Sequence, residues 1–235
     1  MNISATCACP PGRRPRASIE RDARELLLDS ATELFATHGV AGTTFAMIAK
    51  RAGLTPAMVH YYFKNREQLL DAVVKERLLR IISHVWDPVE PGTDVANTIR
   101  GIAERLLQQI EKMPWLRSLW IREILNEDGL LRERMLPHTP FDKARSLARA
   151  IARGQADGSL NTELDPLLVV SSTLGMVMLN MAATKIWAQL LHRKPLSTRT
   201  VLRHVTGLLL NGLLLNRLRQ TQSPRSDASS RARNS

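Results

Sequence analysis

The run Thr44-Phe45-Ala46-Met47-Ile48-Ala49-Lys50-Arg51-Ala52-Gly53-Leu54-Thr55-Pro56-Ala57-Met58-Val59-His60-Tyr61-Tyr62-Phe63 spells two short helices around a tight turn. Thr44 has the side chain to cap the first, and Gly53 tolerates the positive φ of the turn. Thr55 caps again, with Pro56 at the first helical position, where a missing N–H costs nothing. Ala49 supplies the small residue where the helices cross and Val59 an inward anchor, while Ile48, Ala52, Leu54 and Phe63 complete a small core. These are the parts of a helix-turn-helix, whose second helix enters the major groove of DNA. Its outward residues are Pro56, Ala57, Met58, His60 and Tyr61.

Upstream, apolar residues recur from Ala23 through Phe35 at the spacing of one helix face, and Gly39 supplies a left-handed stop after His38. Downstream, Asn65 caps a longer helix, with Gln68 in the capping-box position. Trp86-Asp87-Pro88-Val89-Glu90-Pro91-Gly92 cannot continue a helix and reads as a linker. Amphipathic segments follow near 94–112, 115–126, 140–156, 166–191 and 198–219, bounded by Pro114, Gly129, Pro137, Gly158, Asp165-Pro166 and Pro195. The expected organisation is all-α. A disordered tail spans 1–19, a DNA-binding domain 20–81 with its helix-turn-helix at 44–63, a second helical domain 93–219, and another disordered tail 220–235.

With 44% hydrophobic residues but only 4% aromatic, the 235-residue chain can bury a core and favours helix over strand. The net charge of +11 suits a polyanionic partner, although the first 19 residues supply three of those charges and the last 16 another two. More telling is Leu34 to Arg66, which holds no acid but carries Lys50, Arg51, Lys64 and Arg66. Cys7 and Cys9 stand alone, so no metal site or cofactor is expected. The N-terminus lacks the apolar run of a signal peptide, and a cytoplasmic location is expected. Pro166 to Thr184 carries no charge, yet its Ser, Thr, Asn and Gly residues suit a helix buried in a bundle or dimer rather than a membrane. Histidines scattered at 38, 60, 84, 138, 192 and 204, with no metalloprotease or phosphate-loop motif, argue against an enzyme.

The runs Gly42-Thr43-Thr44-Phe45-Ala46-Met47-Ile48-Ala49 and Ala52 through Leu70, with its Tyr61-Tyr62-Phe63-Lys64-Asn65-Arg66-Glu67, resemble the signature of the TetR family of regulators. The likeness covers residues 20 to 75; beyond that, only helix count and order are similar. His60 departs from it, a Tyr being usual there. The resemblance implies an N-terminal three-helix DNA-binding domain and a C-terminal helical domain for ligand binding and dimerisation. It makes Tyr61 a phosphate-contacting aromatic, Lys64 a phosphate-binding lysine and Arg66 a basic position at the start of the next helix. Thr44 and Thr55, at helix N-termini, join the DNA-binding set. Reading of bases falls to Pro56, Ala57, Met58 and His60, through thymine methyls or an imidazole hydrogen bond. His60 is equally well a solvated histidine, and Tyr62 packs rather than touching DNA.

Helices 166–191 and 198–219 resemble the pair through which the family forms homodimers, and their Leu-rich surfaces call for a partner. Gly175, Gly207 and Gly212 would permit close helix approach. Trp115, Trp120, His138, Met176, Met178, Asn180 and Met181 are the candidates for a pocket taking a hydrophobic or aromatic small molecule, Trp187 joining them as a further apolar lining. Arg117, Arg122 and Glu123 either orient a polar group there or form surface salt bridges. The expected function is a homodimeric repressor released from a palindromic operator by a small-molecule effector. The alternative is a ligand-independent dimeric DNA-binding protein or an activator, with an all-α enzyme a remote third.

Overall fold

The computed structural model describes residues 16–87, 89, 92 and 94–214. Cys7, Cys9, the tail beyond 219, and Pro88, Glu90 and Pro91 of the expected linker lie outside the described residues. Helix α1, Arg16–His38, starts ahead of the apolar repeat and takes in residues 16–19, which sequence reading assigned to the tail. It stops at Gly39, whose φ of +76° is the left-handed conformation expected there. Helix α2 is Phe45–Ala52 and α3 is Pro56–Tyr62. Helix α4, Arg66–Val73, passes through a π-helical turn, Val74–Leu78, into α5, Leu79–Trp86. The remainder comprises α6 (Val95–Lys112), α7 (Trp115–Leu119) running into a second π-helical turn (Trp120–Leu125), and α8 (Arg132–Met135) with a 3-10 turn (Leu136–His138). Then follow α9 (Phe141–Ala156), α10 (Pro166–Leu190) and α11 (Thr198–Leu213). The protein is all-α.

Two compact units emerge. The first joins Met1–Leu79 to Ser118–His138, although in sequence the latter stretch lies among the C-terminal helices. In it α1 packs on α2 and α4, and α2 on α3. Leu27, Phe35, Ile48, Val59, Phe63 and Leu69 are its fully buried anchors. Each is worth roughly 1.5–3 kcal/mol of burial. Ala52 and Leu54, expected in this core, are only half-buried. Ion pairs fasten α1 to the first π-helical turn: Arg24 donates to both Glu76 oxygens (2.6 and 2.7 Å), and Arg77 to Glu25 and Asp29 at 2.8 Å each. The Glu76 hydrogen bonds raise the Arg24 pKa against the opposing effect of burial.

The second unit comprises Arg80–Arg117 and Thr139–Ser235. Its α10 packs on α6, α9 and α11, and α11 on α6. Asp94, Asp165 and Ser197 cap α6, α10 and α11 through their side chains. Helix α11 ends sooner than 219: Leu214 is extended and bridges Leu160, while Asn161 donates to the carbonyls of Leu213 (2.9 Å) and Gly212 (3.0 Å). Those carbonyls are thereby turned away from a helical continuation. Helix α10 alone among the described residues is long and apolar enough to cross a membrane, with 39% of its most apolar window buried. Leu168, Gly175, Leu179, Ile186 and Leu190 lie exposed along it at alternating intervals of seven and four. Among the described residues, no atom beyond the local backbone lies within 4 Å of a Cβ built on Gly175, Gly207 or Gly212, so none of them makes the close approach that those glycines permit.

Candidate nucleic-acid interface

The recognition unit is assembled from short-range signals. Thr44 takes the Met47 N–H on its hydroxyl (3.2 Å) and so caps α2. At the other end Gly53 adopts φ 68°, ψ 27°, its N–H and that of Leu54 returning to the carbonyls of Lys50 and Ala49. A Cβ at Gly53 would meet nothing within 4 Å, so glycine is needed there for its backbone conformation alone. Thr55 occupies the N-cap position of α3 and Pro56 the first turn, but the Thr55 hydroxyl makes no capping bond. Asn65 caps α4 through Gln68 N–H at 2.9 Å. The Gln68 side chain returns to the N–H of Lys64 (3.2 Å), one residue ahead of the N-cap itself.

Thr44, Thr55, Pro56, Ala57, His60, Tyr61 and Lys64 are exposed, Met58 is half-buried, and Tyr61 is 71% accessible. His60 meets the Phe45 ring edge-on at 4.9 Å, and Tyr61 meets half-buried Tyr62 at 5.0 Å. The nearest acids are already engaged. Glu33 pairs with Arg51 (2.9 Å to Nε), and Glu67 with Arg134. Lys50 and Lys64 keep exposed side chains on this acid-free stretch.

Arg66 is placed differently from the other candidates. It is half-buried, and its guanidinium donates to the carbonyls of Thr43 (3.1 Å) and Val40, holding the α1–α2 turn. Sequence reading missed a second brace on that turn. Glu123, weighed as a surface salt-bridging or ligand-orienting residue, is 5% exposed and accepts the N–H groups of Val40 (2.7 Å) and Leu130 (3.1 Å). Its separation of 83 residues from Val40 leaves no local signal; only Gly39 and Gly129, which make room for it, hint at crowding. Arg134 adds a third tie, pairing with Asp71 and Glu67 on α4.

The seven ligand-binding candidates do not share one unit. Trp115, Met176, Met178, Asn180 and Met181 belong to the second, whereas Trp120 and exposed His138 belong to the first. Met178 and Met181 are buried, Asn180 spends its amide on the Met176 carbonyl (2.7 Å), and Arg117 donates to the Met181 carbonyl. Trp187 is 54% exposed.

Residues 27–73 match the model of the bacterial regulatory proteins of the tetR family, the span that builds α2, α3 and their supports. The head thus carries a tetR-family domain, and the relatives that the chain resembles are named transcriptional regulators. It is 36% identical over 64 residues to the HTH-type transcriptional regulator BetI of Rhizobium meliloti, covering 27% of this chain and 32% of that one. With the HTH-type transcriptional repressor KstR2 of Mycolicibacterium smegmatis it shares 25% identity over 152 residues, 62% of this chain and 71% of the relative. The solved structure of the ketosteroid transcriptional regulator KstR2 of Mycobacterium tuberculosis superposes with a TM-score of 0.64 at 18% identity, covering 81% and 94% of the two chains. The TetR-family fold thus extends over both units, while the family model itself is confined to the head.

Proposed function

We propose that this chain is a homodimeric repressor of the TetR family that grips a palindromic operator and is released from it by a small molecule. The observation that carries the reading is the exposed, acid-free face of α2 and α3, with Thr44, Thr55, Pro56, Ala57, Met58, His60, Tyr61 and Lys64 on or beside it. Lys64 and Tyr61 are assigned to phosphates, and Pro56, Ala57, Met58 and His60 to base edges. None of these is a bidentate Arg-guanine or Asn-adenine reader, so specificity leans on DNA shape and on paired half-sites.

A dimer supplies the pairing. The exposed stripe on α10 repeats every 11 residues, about 3.67 per turn, and so stays on one helix face that a second helix can cover; burying it removes an apolar surface a lone chain would present to water. Two heads then read half-sites about 34–36 Å apart. The effector is assigned to the second unit, where buried Met178 and Met181 and half-buried Trp115 and Met176 favour a hydrophobic or aromatic molecule.

Selection of duplexes from a random library, with sedimentation of the bound and free protein, tests the proposal. A palindromic consensus bound by two chains is expected, followed by release on adding a member of a hydrophobic ligand panel. A monomer in solution, or no enrichment of any duplex, refutes it. A dimer that no panel member releases refutes the effector part alone.

A further inference from the structure

Glu123 is a carboxylate out of water whose hydrogen bonds come from two backbone N–H groups, Val40 and Leu130. Among the described residues no cation lies within ion-pair distance of it. A buried carboxylate is tolerated only where its donors are fixed, so this arrangement is a geometric lock. The surroundings are shaped for it. A Cβ on Gly39 would lie 3.3 Å from Glu123 Oε1, and one on Gly129 would lie 2.2 Å from the Glu123 carbonyl oxygen.

The lock acts on a turn that leads straight into the interface. Val40 is held at its N–H by Glu123 and at its carbonyl by Arg66 and by the N–H of Thr43 (3.1 Å). The Thr43 hydroxyl closes the turn onto the Gly39 carbonyl at 2.8 Å. The next residue is Thr44, the cap of α2, whose free N–H groups point out of the helix N-terminus. Glu123 itself lies on the π-helical turn that continues α7, and Trp115–Arg117 of that helix belong to the second unit.

We propose that Glu123 is a positioning residue for DNA binding. Its carboxylate on the Val40 N–H sets the turn at residues 39–43, and through it the placement of Thr44 and the α2 N-terminus against phosphate. The chain running back from Glu123 into α7 gives the second unit a covalent route to the head separate from the α4–α5 helix. The proposal rests on the DNA-binding reading, touches no phosphate, and assigns Glu123 no contact with ligand.

The test uses the full chain with Glu123→Gln, which keeps the shape and one acceptor oxygen, and Glu123→Ala, which keeps neither. Binding to the duplex selected by the unaltered protein is followed against salt, with amide exchange of Val40 and of the α2 amides. Glu123→Ala should weaken binding about tenfold and speed Val40 exchange at least as much, the loss expected for a hydrogen bond to a charged acceptor. Glu123→Gln should recover part of both, and the salt slope should be unchanged in each. Should Glu123→Ala fail to fold, Glu123→Gln alone decides, with an expected loss of at least threefold. Unaltered affinity in a folded variant whose Val40 exchanges faster overturns the proposal. So does exchange that accelerates equally at Val59 and Leu69, since that is general destabilisation. If the unaltered protein binds no duplex at all, the DNA-binding reading fails first and this assignment with it.

Discussion

Replacing Lys64 by alanine isolates the electrostatic contribution of one side chain. Lys64 is exposed between α3 and α4, and its hydrogen bond to Gln68 uses the backbone N–H, which the substitution keeps. The fold loses neither burial nor a hydrogen bond, and Tm should stay within about 2 °C. Each neutralised phosphate contributes about 0.9 to the slope of log affinity against log salt, so one contact multiplies affinity roughly 8-fold at 0.1 M salt. With both heads of a dimer engaged, Lys64→Ala should bind roughly 60-fold more weakly at that salt, with a slope shallower by about 1.8. The same loss is expected on the selected operator and on mixed-sequence DNA, because a phosphate carries no base identity. Fluorescence anisotropy of labelled duplexes across a salt series measures both quantities. An unchanged slope, or a loss confined to the operator, refutes the assignment of Lys64 to phosphate.

Arg66→Ala should behave in the opposite way: losing two charge-assisted bonds to the Val40 and Thr43 carbonyls costs about 2 kcal/mol, which lowers Tm by roughly 4–8 °C in a calorimetric scan. Its salt slope should hardly move, and a slope change matching that of Lys64→Ala would return Arg66 to the phosphate contacts. Leu179→Glu places a charge in the middle of the exposed α10 stripe, where no core is disturbed, and should convert the dimer to folded monomers in sedimentation. The Asp87 carboxylate is held below its usual pKa by hydrogen bonding to Arg105, so its contribution to stability is full above an unfolded value of about 3.9 and disappears as pH falls through the lowered one. Thermal melts of Asp87→Asn and the unaltered protein should therefore differ at neutral pH and converge in strong acid.

The head was legible from sequence because its determinants act over three to five residues. Thr44 reaches Met47, Asn65 reaches Gln68, and Gly53 needs only its own backbone angles, so residue type and spacing suffice. The braces on the head were not legible for the complementary reason. Glu123 finds Val40 across 83 positions and Arg134 finds Asp71 across 63, and in sequence each is an ordinary surface-type charge. The early end of α11 belongs to the same class, because it depends on Asn161 lying 51 positions from Gly212. The π-helical turns at 74–78 and 120–125 fall inside runs whose apolar spacing reads as plain helix. Both turns lie in the first unit, and both carry a glutamate that reaches another element, Glu76 to Arg24 and Glu123 to Val40.

Charge illustrates how far a residue count departs from a binding surface. The stretch from Leu34 to Arg66 carries four cations, and sequence alone treats them as one patch. In the folded chain Arg51 is spent on Glu33 and Arg66 on two carbonyls, which leaves Lys50 and Lys64 with exposed ammonium groups. Two cations per head, four per dimer, support a salt slope of roughly 3.6. Much of the net charge of +11 lies elsewhere, five charges of it in the two terminal segments. A measured slope well above that figure therefore implicates cations outside α2–α4. The specificity of the head would then be built on a small electrostatic contribution of its own, with Pro56, Ala57, Met58 and His60 carrying what discrimination the helix itself provides.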